Sequence, residues 1–568
     1  MIQSATMHKI QSYIDDVVNE DIVVCDLVRK AVERHLRDLQ QEHSEEFPYY
    51  FDWLHAEVAI DFIESMLCHS IGEHAGRPLV LEPWQAFGIA CLFGWKRSED
   101  QTRRFRKAYW SMGRKNGKST LGAALAVLLA SFDVNPSTGQ PEAVASVILC
   151  ATKREQVEKV MYAEIERMRL QSRHIKGMSE AINKQITFAH NQGSIRCVGS
   201  DKPYDGLSPL AILQDELHAW KEHHRGFYDT MQTGSGARQQ PIIITLTTAG
   251  DDQSEIWLSE YKYAKGILNQ EFRDEQVFAF CFELDEKDEV LNSANWIKAN
   301  PNLGVSVKED YLDQLAKEAK QDALALNRFK RYHGNQLVSS TTRAFNLEHW
   351  DQSEGSYSDW RDAAVIGAGV DLGGRNDLCS WSLCAKFPTG EYSGDETPIW
   401  RYEIRTQSYI ATTTKRDLSK QPFAQWVHDD LIRRVEYPIS QMERDLLNEF
   451  DRFGVDALAY DPGQALPFAE SMEQAGIKAA RMGQNCSMFN TPICEFRAAM
   501  AEGRLMHNGN PLLRWCVGNA MLIENTQQHV MLNKRDSKSK IDPVVSSVMA
   551  MWVCMVTEPS VDGPLFIS

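Results

Sequence analysis

The eight residues Gly113-Arg-Lys-Asn-Gly-Lys-Ser-Thr120 restrict what this chain can fold into more than any other stretch. They separate an apolar run, 107–110, from a helical segment, 119–132, that is apolar on nearly every side. Loop amides and the first turn of the helix then point at one spot, where the helix dipole favours an anion. Short apolar runs at 107–110, 145–152, 209–215 and 241–247, separated by helical segments, mark a largely parallel sheet with helices on both faces. Lys118 is spaced to reach the β- and γ-phosphates of a nucleotide, and Ser119 to ligate magnesium. The first glycine of the usual loop would fall at Met112, so Gly113 shifts the spacing by one. The expected ATP-binding set is Gly113, Arg114, Lys115, Asn116, Gly117, Lys118, Ser119 and Thr120.

A second motif makes the loop an ATPase signature. Asp215-Glu216 ends the apolar run Leu210-Ala-Ile-Leu, a place that uncompensated carboxylates avoid. Asp215 suits a magnesium ligand and Glu216 a general base that polarises the attacking water. One further strand, 145–152, lies between the two motifs, the order of the P-loop branch with an inserted strand and a catalytic glutamate. Downstream, Ile242-Ile-Ile-Thr-Leu-Thr-Thr-Ala-Gly250 reads as a buried strand ending in hydroxyls. Those threonines suit sensing of the γ-phosphate and capping of the strand equally. Upstream, Gln85 has both a donor and an acceptor with which to read an adenine edge.

The C-terminal half carries a different kit. Asp371 follows Ala368-Gly-Val, Asp461 follows Leu458-Ala-Tyr, and Asp542 opens the last helical run. Taken singly, Asp461-Pro462 and Asp542-Pro543 also suit turns and helix caps. Three aspartates at strand ends and a helix start, far apart along the chain, fit a nuclease that holds two magnesium or manganese ions. Asp377 is a possible auxiliary ligand, and Lys540 a phosphate contact.

At 568 residues the chain exceeds one core, since cores stop growing beyond roughly 250–300 residues. We expect a helical segment over 1–80, a P-loop ATPase domain over 81–340, a polar linker over 341–362 and a ribonuclease H-like nuclease domain over 363–568. In the helical segment, Val24, Leu27, Val28 and Ala31 share one face, and Leu54, Val58, Phe62, Ile63 and Met66 another. The longest apolar stretches, 121–132 and 544–556, fall short of the roughly 20 residues that span a bilayer. Nothing at the N-terminus resembles a secretion signal. The twelve cysteines include no Cys-x-x-Cys pair, which disfavours a zinc ribbon and fits reduced thiols. A formal net charge of −17 opposes avid DNA binding by a lone subunit. The basic runs Arg103-Arg104-Phe-Arg106-Lys107 and Arg328-Phe-Lys330-Arg331 are local DNA contacts or, more ordinarily, solvated faces.

Taken in order, Trp84-Gln85, Gly113–Thr120, Ala151-Thr-Lys-Arg-Glu-Gln156, Asp205-Gly-Leu, Asp215-Glu-Leu-His218, Thr247-Thr-Ala-Gly250, Gly369-Val-Asp-Leu372 and Lys540-Ile-Asp-Pro543 resemble the large terminase subunit of tailed bacteriophages. The resemblance covers nearly the whole chain. It implies a packaging motor that drives double-stranded DNA into a procapsid by ATP hydrolysis and cuts concatemeric DNA. It implies that Arg114 is the early basic residue of a phosphate loop lacking its first glycine. Thr247, Thr248 and Gly250 would be a segment coupling hydrolysis to DNA movement, and Arg154 the arginine that completes a neighbour's site. Asp371, Asp461 and Asp542 match the nuclease carboxylates. The implied partners are a portal protein, a small terminase subunit and further copies in a ring, with no membrane. The implied location is the cytoplasm of the bacterial host, and not the mature virion. A helicase-nuclease of repair or recombination is the rival that shares the ATPase kit, and a nucleotide-gated scaffold with structural carboxylates is a second.

Overall fold

The computed structural model describes residues 4–558 except 201–207, 374–376, 395, 415–422, 464, 526 and 534–539, and omits the Glu73 side chain. The Asp205-Gly-Leu motif lies outside the described residues. The chain forms two compact units that divide between Ser339 and Ser340.

The first unit opens with helices α1 (Ala5–Val18), α2 (Asp26–Gln40), α3 (Trp53–Met66) and α4 (Pro83–Gly94). They share one continuous core with the sheet that follows, from Ile10 to Phe282. The stripe expected on α3 holds at Phe62 and Ile63, which are buried, and is corrected at Leu54, which is exposed, with Ala56, Ala59 and Ile60 completing the buried face.

Strand β1 (Lys107–Ser111) leads through the glycine loop into α5 (Lys118–Ser131). Then come β2 (Ser146–Ala151), β3 (Ser179–Ile182), β4 (Gln185–Phe188), β5 (Gly193–Gly199), β6 (Ala211–Asp215), β7 (Ile242–Thr247) and β8 (Val277–Cys281). The eight-stranded sheet has the order β8-β1-β7-β6-β2-β5-β4-β3. Neighbours from β8 to β5 pair in parallel, and β4 and β3 continue antiparallel. In space the strand inserted between the glycine-loop strand and the Asp215 strand is β7, whereas 145–152 supplies β2 on the far side of β6. Chain order and sheet order differ because parallel strands need crossovers. All residues of β6, β7 and β8 are buried, as a parallel sheet covered on both faces requires. Two helices close the unit, α6 (Glu309–Gln321) and α7 (Ala323–Tyr332).

The basic run at 103–107 is also corrected. Arg103 and Arg104 are buried, Arg103 on Asp133 and Arg104 on Asp38 and Glu275. They are interior ion pairs, neither a solvated face nor a DNA contact.

In the second unit, Thr341–Arg343 pairs with Met521–Glu524, and Leu347–Gln352 is a short helix that buries Trp350 on the ring of His507. The polar stretch 341–362 is therefore folded, because Phe345 and Trp350 anchor it. The main sheet contains β9 (Val365–Leu372), β10 (Cys379–Tyr392), β11 (Pro398–Ala411), β12 (Ile432–Val435), β13 (Ala457–Tyr460) and β14 (Ala479–Arg481). Its order is β12-β11-β10-β9-β13-β14, and Leu505–His507 pairs beside β11. Strands β9, β10 and β11 are antiparallel, and β13 and β14 run parallel to β9. The last helix, α8 (Asp542–Val556), lies on this sheet. Gly367 and Gly369 permit its approach: a Cβ on Gly369 would stand 2.3 Å from Ser546 O.

Candidate active sites

In the first unit, the carboxyl ends of four parallel strands bring the predicted residues to one edge. The glycine loop follows β1, Arg154 follows β2, Asp215 ends β6, and Thr247 ends β7. Gly117 begins α5 with φ 77° and Lys115 has φ 71°, left-handed values that wrap the loop around its own centre. Lys118 turns its ammonium inward to Met112 O at 3.3 Å, Gly113 O at 3.0 Å and Thr248 Oγ1 at 2.9 Å. Burial pulls its pKa below the ordinary lysine value, against the opposing pull of Glu216 and Asp215.

Several side chains of the expected nucleotide set brace the loop. Asn116 is buried, and its amide nitrogen donates to Gly113 O at 3.0 Å and Asn300 Oδ1 at 2.9 Å. Its Oδ1 accepts from the Asn302 amide at 3.0 Å. The Thr120 hydroxyl donates to Glu164 at 3.1 Å. The Arg114 guanidinium lies 3.5 Å from the centre of the Tyr332 ring, and its backbone amide donates to Tyr332 O at 2.7 Å. Gln85 Oε1 accepts from Glu82 N at 2.9 Å in a helix-capping box.

Asp215 is buried at 2% exposure. Burial first, and the Glu216 charge second, push its pKa up to about 7. For Glu216 the same burial is outweighed by His218, Lys118 and Arg114, which hold its pKa below the usual carboxylate range. Glu216 Oε2 lies 2.9 Å from His218 Nδ1. The two adjacent acids are thus shifted in opposite directions.

Asn300, Asn302 and Asn335 were not legible as site residues. Asn335 Oδ1 accepts from Ala249 N at 2.7 Å, and its Nδ2 donates to Ser111 Oγ at 2.8 Å. Arg331, in the basic run 328–331, donates to Ala249 O at 3.2 Å and Asp251 Oδ2 at 2.9 Å. Their contacts with Asn116, Ser111, Ala249 and Asp251 each reach across 80 or more residues of chain. The only local signal is polar residues at full burial, which the sequence does not display. Arg154 stands in the first turn after β2, with Nε donating to Glu158 at 2.7 Å.

In the second unit, Val370 and Tyr460 are the last parallel pair of β9 and β13. Asp371 therefore lies one residue beyond that pair within β9, and Asp461 directly after the end of β13. Asp371 and Asp542 are buried. Gln484 donates to Asp371 at 3.4 Å, and Asp461 accepts from Gly463 N at 3.0 Å. Lys540 pairs with Asp377. The Cys379 thiol is pushed up to about 11 by burial first and also by the charges of Asp542, Asp371 and Asp377. Among the described residues no three acidic, imidazole or thiol side chains close into a metal-holding group.

Sequence comparison decides the family. Residues 83–266 match the model of the terminase large subunit ATPase domain, and residues 271–558 that of its endonuclease domain. The chain belongs to the terminase large subunit family. It is 24% identical over 529 residues to the terminase large subunit of Enterobacteria phage HK97, covering 90% of this chain and 98% of that one. Protein YmfN of Escherichia coli (strain K12) is 28% identical over 372 residues, 62% of this chain and 79% of its own. The crystal structure of the HK97 bacteriophage large terminase matches at 20% identity and TM-score 0.42, covering 88% of this chain and 99% of that chain.

This terminase large subunit joins a P-loop ATPase to a ribonuclease H-like endonuclease, enzymes of DNA packaging and cleavage. Domains of both kinds use divalent metal ions. The donors fit such ions: a serine hydroxyl and buried carboxylate in the first unit, and carboxylates alone in the second, are hard oxygen ligands. No helix among the described residues is long and apolar enough to cross a membrane.

Proposed function

We propose that this terminase large subunit hydrolyses ATP at the Lys118 loop and cuts double-stranded DNA at the aspartates of β9, β13 and α8. One observation carries the ATPase half: Lys118 bonds Thr248 at 2.9 Å, which links the phosphate loop to the end of β7. Loop amides and Lys118 hold the phosphates, Ser119 and Asp215 hold magnesium, and Glu216 polarises the attacking water. Gln85 donates to the base through Nε2. Arg114 adds positive charge near Glu216, and Arg154 reaches the site of a neighbouring copy.

In the second unit, Asp371, Asp461 and Asp542 hold two magnesium or manganese ions, with Asp377 as an auxiliary ligand. Such ions offset charge on the cleaved phosphate and lower the pKa of bound water. The carboxylates fix the position of the phosphate, and Lys540 supplies a cation beside it. Copies of the chain act as a ring on the portal of a procapsid, with a small terminase subunit, in the cytoplasm of the bacterial host. A ring also accommodates a net charge of −17, because weak DNA affinity is distributed over its members.

The test is a pair of variants. Glu216→Gln should reduce ATP turnover by at least about 100-fold while sparing nucleotide binding. Asp371→Asn should abolish manganese-dependent nicking and linearisation of supercoiled plasmid and leave ATP turnover intact. Turnover at the wild-type rate in Glu216→Gln, or full cleavage in Asp371→Asn, overturns the corresponding assignment.

A further inference from the structure

His218 has no part in the hydrolysis scheme above, yet its imidazole occupies the space between the general base and β7. It is 7% exposed. Its Nδ1 is 2.9 Å from Glu216 Oε2 and 3.4 Å from Thr247 Oγ1. Its backbone amide donates to the same Thr247 Oγ1 at 3.3 Å, and its carbonyl accepts from Ser254 Oγ at 2.9 Å.

The protons on these groups can be assigned. Thr247 Oγ1 donates its only hydrogen to Thr248 O at 2.9 Å, so towards His218 it accepts. A carboxylate also only accepts. Both groups beside Nδ1 are acceptors, an arrangement that favours the tautomer with its hydrogen on Nδ1.

Glu216 needs such a partner. Its backbone sits at φ 48°, a left-handed conformation that a non-glycine residue keeps only where neighbours enforce it. Its amide donates to Leu246 O at 3.1 Å. Thus β7 holds the backbone of Glu216 directly and its carboxylate through His218. The next residue of that segment, Thr248, accepts from Lys118. Contacts thus run from Lys118 to the Thr248 hydroxyl, from the Thr248 carbonyl to Thr247, and from Thr247 to His218, whose Nδ1 lies 2.9 Å from the Glu216 carboxylate.

We propose that His218 is a positioning residue for ATP hydrolysis: it aims the Glu216 carboxylate and ties that aim, through Thr247 and Thr248, to the partner of the Lys118 ammonium. A γ-phosphate competes with Thr248 for Lys118. The freed Thr248 and its neighbour then re-set the acceptor beside His218 Nδ1, and with it the direction of the carboxylate. This inference rests on Glu216 being the general base.

Asparagine and glutamine separate the two ring nitrogens. In His218→Asn the amide nitrogen takes the place of Nδ1, whereas in His218→Gln it lies nearer the place of Nε2. Steady-state ATP turnover and binding of a non-hydrolysable ATP analogue would be measured on the full chain for both, with Glu216→Gln alongside. His218→Asn should stay close to wild type. His218→Gln should lose about 100-fold in kcat, the scale of an ångström-sized misplacement, with KM and analogue binding unchanged. Asn and Gln variants that match each other, both fast or both slow, overturn the inference, and a shared fall in Tm would mark His218 as structural. Wild-type turnover in Glu216→Gln removes the general-base assignment itself. An inactive Glu216→Gln beside a fast His218→Gln removes only the role of His218.

Discussion

Arg103 shows how far a residue's neighbours can reverse what its sequence context promises. Its guanidinium is buried and meets both oxygens of Asp133, at 2.7 and 2.6 Å, while Arg104 beside it meets Asp38 at 2.8 Å. Removing one member of a buried pair strands the other charge, which costs about 3–5 kcal/mol. Asp133→Ala should therefore destabilise the first unit by that amount in urea unfolding, and a change below about 1 kcal/mol would mean that water reaches Arg103. The acid partners lie 30 and 66 residues away, so a run of five residues with four cations gave no hint of burial. Lys118, Asp215 and Glu216 were legible for the opposite reason: loop, strand end and helix start are local, and their spacing is written in consecutive residues. His218 carries no such local signal, because its meaning comes from Thr247 on another strand.

Elements were legible where apolar runs are continuous, as in β1, β6, β7 and β9, and less so where the partner decides. Sheet order is one such case: β7 enters between β1 and β6, although it follows both along the chain. The seat of α8 is another. Asp542 opens that helix, and the helix reaches its depth because Gly369 presents no side chain to Ser546 O. Ser382 Oγ then bonds Ser546 Oγ at 2.7 Å and Ser547 Oγ at 3.0 Å. Gly369→Ala would place a methyl group against backbone, which a packed core resists at about 1–3 kcal/mol, and α8 must shift with Asp542 on it. Plasmid cleavage should fall sharply while ATP turnover persists. Unchanged cleavage would show that the site tolerates displacement of α8.

At the scale of the whole molecule, the family match and the folded units divide the chain at different places. The endonuclease model begins at residue 271, but residues up to Ser339 belong to the first compact unit. Strand β8 pairs along β1 from Lys107 to Ser111, and Phe278 and Phe280 pack on Phe105 and Trp110 with ring centres 5.4 and 6.0 Å apart. Asn300, Asn302 and Asn335 come from the same stretch and brace the phosphate loop and β7. A fragment of residues 1–266 thus exposes the whole edge of β1 and an aromatic cluster, the condition for edge-to-edge aggregation. It should be insoluble or fail to bind nucleotide, whereas a fragment of residues 1–339 should remain soluble and bind an ATP analogue as the full chain does. Circular dichroism melting and analogue binding on the two fragments decide the matter. Equal folding and binding would mean that β8 and the three asparagines contribute nothing the ATPase needs, and that the boundary drawn by the family match is the physical one.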